Sequence, residues 1–251
     1  MFVLEVGMNI TRYKFLGNGR YEVVIDNDRY IIYEDIILKY NILGKGNISV
    51  SELNTYLKDN IFYEAYYKAV KYINVKLRTS KEIFDYLVKA GYDVSFVSKV
   101  VDKIIKDGYI NEEVYTECYI NDQINLKVVG PLRIEKDLLG LGISKSVISK
   151  YIGNYSKEMQ VSKINKFIAK EIKLNSNKSS YVLKNKILIS LVNKGFYKDD
   201  IVRCLDNVVI DDSLMYEKEY KKIYDKLSKK YSGKELEYKA KQKMYQKGFR
   251  V

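Results

Sequence analysis

Strict alternation of apolar and polar residues is confined to the first part of this chain. Residues 10–15 (ITRYKF), 20–25 (RYEVVI) and 29–33 (RYIIY) are short, rich in β-branched and aromatic side chains, and separated by glycine–asparagine and DND turn signals. That pattern predicts a three-stranded meander. Residues 34–40 then read as one short helix ahead of Gly44 and Gly46. Ser49, with Glu52 three positions on, forms a capping-box signature that opens a helical region. From residue 50 onward no strand pattern persists.

Within the helical region one phrase recurs four times: RTSKEIFDYLVKAGYD at 78–93, GPLRIEKDLLGLGIS at 130–144, LKNKILISLVNKGFYK at 183–198 and EYKAKQKMYQKGFRV at 237–251. Each copy carries a glycine, at 91, 142, 195 and 248. Four positions earlier stand Leu87, Leu138, Leu191 and Met244, and eight positions earlier stand Ile83, Ile134, Ile187 and Ala240. This i, i+4 stripe predicts a short amphipathic helix ending at a glycine, where a left-handed C-cap needs a residue without Cβ. A second helix follows, with Val97/Val101/Ile104, Ile148/Ile152/Tyr155 and Ile201/Leu205/Val208 at equivalent places, and another precedes each phrase. Thr79 with Glu82 forms a further capping box, and Gly130-Pro131 puts the single proline at a first helical position, where its missing N–H costs nothing.

The expected fold class is therefore mainly α: tandem three-helix repeats in an elongated array, preceded by a small N-terminal β-meander. The boundaries read as 1–48 for the meander and its short helix, then repeats at 49–111, 112–157 and 158–211, with a fourth, truncated repeat at 212–251.

Composition narrows the chemistry. The chain has 251 residues, 47% hydrophobic and 30% charged, a profile neither disordered nor membrane-spanning. No apolar run approaches a bilayer span and the start carries no basic leader, so neither a transmembrane helix nor a signal peptide is expected, and the location reads as cytoplasmic. Cys118 and Cys204 stand on apolar helical stretches and read as reduced core residues. There is no histidine, which removes the Ser-His and Cys-His nucleophile systems and the commonest metal ligand. GKGNISV at 44–50 lacks the spacing of a phosphate-binding loop, and no carboxylate pair is singled out. No catalytic residue, metal site or cofactor is expected.

The net charge of +12 is unevenly placed. Residues 1–63 carry 7 basic and 8 acidic side chains, a net −1, whereas residues 212–251 carry 12 basic and 6 acidic, a net +6. Basicity belongs to the helical repeats and suits a polyanion or an acidic protein. One position before the stripe stand Arg133, Lys186 and Lys239 in copies two to four, with Lys136, Lys184 and Lys241 nearby and Arg78 at the head of the first phrase. These seven cations form the expected binding track.

Three stretches also carry a resemblance. Arg78-Thr79-Ser80-Lys81-Glu82-Ile83 with Leu87 and Gly91 is similar to the R-S-x-x-E-L opening of the RecX family; Gly108-Tyr109-Ile110-Asn111-Glu112 with Tyr115 and Tyr119 is similar to its G-Y-[LI]-D-D segment; and Gly130-Pro131, Ile134, Leu138 and Gly142-Ile143 are similar to its G-P-x-x-I signature. The chain departs from the pattern at Asn111, Thr79, Ala90 and Leu141. From about residue 63 to its C-terminus it thus resembles regulators of the RecA recombinase. The resemblance implies a non-enzymatic modulator that lies in the groove of RecA filaments on DNA and restrains recombination and SOS signalling. The partners it implies are RecA and DNA, for a protein that acts as a monomer. A helix-turn-helix DNA binder is the competing class, although the second helix at 94–106 offers chiefly Ser, Lys and one Asp for base readout. A purely structural scaffold is a third.

Overall fold

The computed structural model describes residues 7–175 and 178–249. Four strands, β1 (Met8–Gly17), β2 (Arg20–Ile25), β3 (Asp28–Tyr33) and β4 (Asn47–Ile48), form an antiparallel sheet in the order β3-β2-β1-β4. Twelve α-helices are present among the described residues: α1 (Glu34–Tyr40), α2 (Val50–Ile73), α3 (Ser80–Lys89), α4 (Val94–Lys106), α5 (Glu112–Leu126), α6 (Pro131–Gly140), α7 (Lys145–Tyr151), α8 (Lys157–Leu174), α9 (Ser180–Asn193), α10 (Lys198–Asp206), α11 (Ser213–Leu227) and α12 (Gly233–Gln246). The chain is thus mainly helical with antiparallel strands at the front. It divides into two compact units, Met1–Tyr115 and Thr116–Val251.

In the first unit α2 is one continuous helix serving two cores. Its first half buries Leu53 and Tyr56 against Val23, Ile25 and Ile32 of the sheet and Ile36 and Ile37 of α1. Its second half buries Ala65, Tyr66 and Ala69 against Ile83 and Leu87 of α3 and Val97, Val101 and Ile104 of α4. Between the two lies Asn60, 8% exposed, whose carboxamide accepts from the Tyr33 N–H at 2.8 Å and donates to the Ile31 carbonyl at 2.8 Å. The side chain thereby pairs with the end of the outer edge of β3, taking one N–H and one carbonyl as a neighbouring strand would. Asn60→Ala strands both backbone groups and should cost about 1–3 kcal/mol, read as a lower urea midpoint with faster amide exchange at Tyr33. An unchanged midpoint would show that water replaces the amide.

Both capping boxes form: Ser49 Oγ accepts from the Glu52 N–H and Thr79 Oγ1 from the Glu82 N–H, each at 3.2 Å, while both glutamates return the bond. β4 is an addition to the expected meander; it pairs with Met8 and Asn9 of β1. Cys204 is buried, and burial raises its thiol pKa, but Cys118 is exposed. The expectation that both cysteines lie in the core fails there because α5 turns Thr116, Ile120, Gln123 and Ile124 inward and Cys118 falls on the opposite face.

The second unit buries the stripe positions. Ile134, Leu138, Ile187, Leu191 and Ala240 are fully covered, and Met244 is 2% exposed. Leu138→Ala or Leu191→Ala should each cost roughly 2–5 kcal/mol, measured by urea unfolding. If both variants match the parent, these side chains are not core.

Candidate polyanion-binding surface

The second unit carries a cationic concavity assembled by one backbone junction. The first N–H groups of a helix and its last carbonyls lack intrahelical partners. Here two helices satisfy each other: Gly130 N–H, at the N-cap of α6, donates to the Lys194 carbonyl at 2.8 Å, and Leu132 N–H donates to the Gly195 carbonyl at 3.1 Å, so the start of α6 sits on the end of α9. Any Cβ at Gly130 would overlap the Gly195 carbonyl, and any Cβ at Gly195 would overlap the backbone of Arg133. Gly195 also holds φ +86°, the left-handed C-cap conformation.

That contact brings Arg133, on the first turn of α6, and Lys194, just past α9, to the same hollow as Lys127 after α5. Helix α8 adds Lys166 and Lys170. Together they line an open cavity of about 690 Å³ whose one acid is Asp137. Arg133 Nε already holds that carboxylate, at 2.9 and 3.1 Å. Lys194 Nζ lies 5.6 Å from the centre of the Phe167 ring.

Lys163, one turn earlier on α8, donates to the Lys127 carbonyl at 2.5 Å. Its pKa is lowered, first by burial and second by the charge of Lys166. The Lys166 charge beside Lys163 leaves an electrostatic demand for an anion, and an anion seated there would raise the Lys163 pKa again.

Of the seven cations read from the sequence, only Arg133 lines this hollow. Lys136 is exposed on the same helix, with no ion pair among the described residues. Lys186 bridges α9 to the end of α8, reaching Glu171 at 2.9 Å and Asn175 at 3.0 Å. Lys184 donates to the Leu205 carbonyl near the end of α10 at 2.9 Å. Lys239 is half-buried and Lys241 exposed on α12. In the first unit the Arg78 side chain is 12% exposed, stacked on Tyr72 and paired with Glu82 at 3.2 Å.

Sequence reasoning passed over Lys127, Lys163, Lys166 and Lys170. The last three recur at i, i+3 and i+7, one polar stripe on the amphipathic α8, so their shared face was legible from the helical period. Among the described residues no cluster of His, Cys, Asp or Glu could hold a metal, and no helix is long and apolar enough to cross a membrane.

A small antiparallel sheet in the first unit, a helical remainder, and a cationic hollow with two backbone-locked glycines in the second unit define a mainly helical protein with antiparallel strands at its front. Comparison with known proteins narrows the class. Residues 65–103 match a family model described as RecX, first three-helix domain. Regulatory protein RecX of Bacillus cytotoxicus is 31% identical over 242 residues, 92% of this chain and 89% of that protein, and its Bacillus cereus strain G9842 counterpart is 32% identical over the same span. A crystal structure of regulatory protein RecX superposes with a TM-score of 0.70 at 20% identity, covering 80% of this chain and all of that one. The RecX structure from Lactobacillus salivarius gives a TM-score of 0.52 at 29% identity over 59% of this chain and 97% of its own. The chain belongs to the RecX family of regulatory proteins.

Proposed function

We propose that this chain regulates the RecA recombinase by lodging along the groove of RecA filaments on DNA, restraining strand exchange and the SOS signal through binding alone. The cationic hollow between α5, α6, α8 and the end of α9 carries this reading: five cations and one already paired acid suit phosphates or a carboxylate-rich protein groove. Lys136, Lys239 and Lys241 are the proposed flanking contacts, whereas Arg78, Lys184 and Lys186 each already hold a partner within the fold. The division of the chain into a front sheet and four repeats, and action as a cytoplasmic monomer, belong to the same proposal. Reading of base edges by α4 is not favoured, because its exposed face presents Ser95, Ser98, Lys99, Asp102 and Lys106 without Arg, Asn or Gln.

Co-sedimentation with RecA tests the reading. The chain should pellet with filaments formed on single-stranded DNA, slow their strand exchange, and dissociate as salt rises. If the chain leaves the pellet and the exchange rate unchanged at low salt, the reading fails.

A further inference from the structure

The sheet of the first unit has two outer edges and treats them differently. Asn60 pairs with the Tyr33 N–H and the Ile31 carbonyl at the end of β3. On the far side β4 covers only Met8 and Asn9, and the Ile10 N–H reaches the Gly46 carbonyl at 2.9 Å. From Thr11 to Leu16 the outward edge of β1 meets no backbone partner among the described residues. An open edge is a template for another extended chain.

Side chains along this edge sort by face. Tyr13 stands opposite Val23 and Phe15 opposite Tyr21, on the side that carries the buried core, yet they remain 52% and 56% exposed. Arg12 stands opposite Val24 and Lys14 opposite Glu22 on the other side, and Glu22 has its ion pair with Arg29. Residues 8–21 contain three cations, Arg12, Lys14 and Arg20, and no acid, within a segment whose overall balance is slightly acidic.

From these features we infer that the β1 edge is a docking site for an extended acidic peptide segment of another protein, which adds to the sheet as a further strand. Backbone pairing supplies the binding, carboxylates on one face of the incoming strand meet Arg12 and Lys14, and apolar side chains on its other face cover Tyr13 and Phe15. A second copy of this chain is the poorer occupant, since antiparallel pairing of two β1 edges sets like charges against each other. This surface is separate from the cationic hollow and does not rest on the RecA reading.

The probe is a fluorescent peptide of alternating glutamate and valine, as long as the open edge, titrated into the full chain. Binding is read by anisotropy and located by residue-resolved amide hydrogen exchange. Saturable binding should slow exchange within 11–16, and methylating alternate backbone nitrogens of the peptide should abolish that protection. Arg12→Glu with Lys14→Glu should weaken binding roughly tenfold, whereas Lys166→Glu with Lys170→Glu should leave it unchanged. Protection confined to α8, indifference to backbone methylation, or no binding at all would overturn the proposal. The last result would mean that Arg12 and Lys14 serve only to keep the edge unpaired.

Discussion

Gly195→Ala should destabilise the second unit by roughly 3 kcal/mol or more, while Gly91→Ala costs the first unit only about 1–2 kcal/mol, the usual penalty for an L residue in the left-handed region. The two glycines share a conformation, φ +86° and +96°, and both follow the amphipathic helix of a repeated phrase. Their surroundings differ. A Cβ on Gly91 points into open space, whereas one on Gly195 collides with the Arg133 backbone. Relief requires α6 to move off α9, which strains the bonds from Gly130 and Leu132 as well and adds an overpacking cost of about 1–3 kcal/mol. Urea unfolding should show the difference. Amide exchange should place the Gly195→Ala loss at Gly130 and Leu132, where the junction hydrogen bonds are. Equal costs for the two variants would mean that the junction yields freely and that the glycine is needed for its dihedral angle alone.

The same pair of glycines shows how much the sequence could reveal. Local signals were readable: β2 spans Arg20–Ile25 and α1 spans Glu34–Tyr40, as the alternation and turn residues predict, and both capping boxes form. Each depends on residues within a few positions of one another. The need for glycine at 91, 142, 195 and 248 was likewise legible, because a helix end with φ near +90° is a local demand. What Gly195 touches was not, because Arg133 reaches it only through tertiary packing. Long-range pairing also hid β4, whose two residues find Met8 and Asn9 across the whole meander, and hid the Asn60 side chain acting on the edge of β3. The surroundings of the binding-track cations were the least legible. Spacing identifies equivalent lysines in successive phrases, but an equivalent position says nothing about which carboxylate or carbonyl stands opposite. Lys186 meets Glu171 and Lys184 meets a helix end, while three of the five cations that converge, Lys127, Lys166 and Lys170, lie outside the phrases altogether.

Lys166→Glu with Lys170→Glu should remove most of the chain's hold on RecA filaments while its melting temperature stays close to the parent's. Neither lysine has an ion pair among the described residues, so reversing them breaks no bond of the fold. Arg133 and Lys186 are poorer choices because each holds a carboxylate, and their loss confounds binding with stability. At about 1 kcal/mol for each lost contact, the upper end for exposed charges, two contacts amount to roughly a thirtyfold higher concentration for half-inhibition of strand exchange. If the contacts are to phosphates, the dependence of log affinity on log salt should become shallower by roughly two. The matched control is Lys99→Glu with Lys106→Glu on the exposed face of α4. It makes the same change in net charge, so a general electrostatic attraction predicts equal losses, whereas the hollow predicts a much smaller one. A second readout checks the local field: removing the Lys166 charge should raise the Lys163 pKa, which that charge now lowers, and side-chain NMR can follow this without any partner present. Equal losses from the two double variants would assign binding to net charge and leave the hollow without a role of its own.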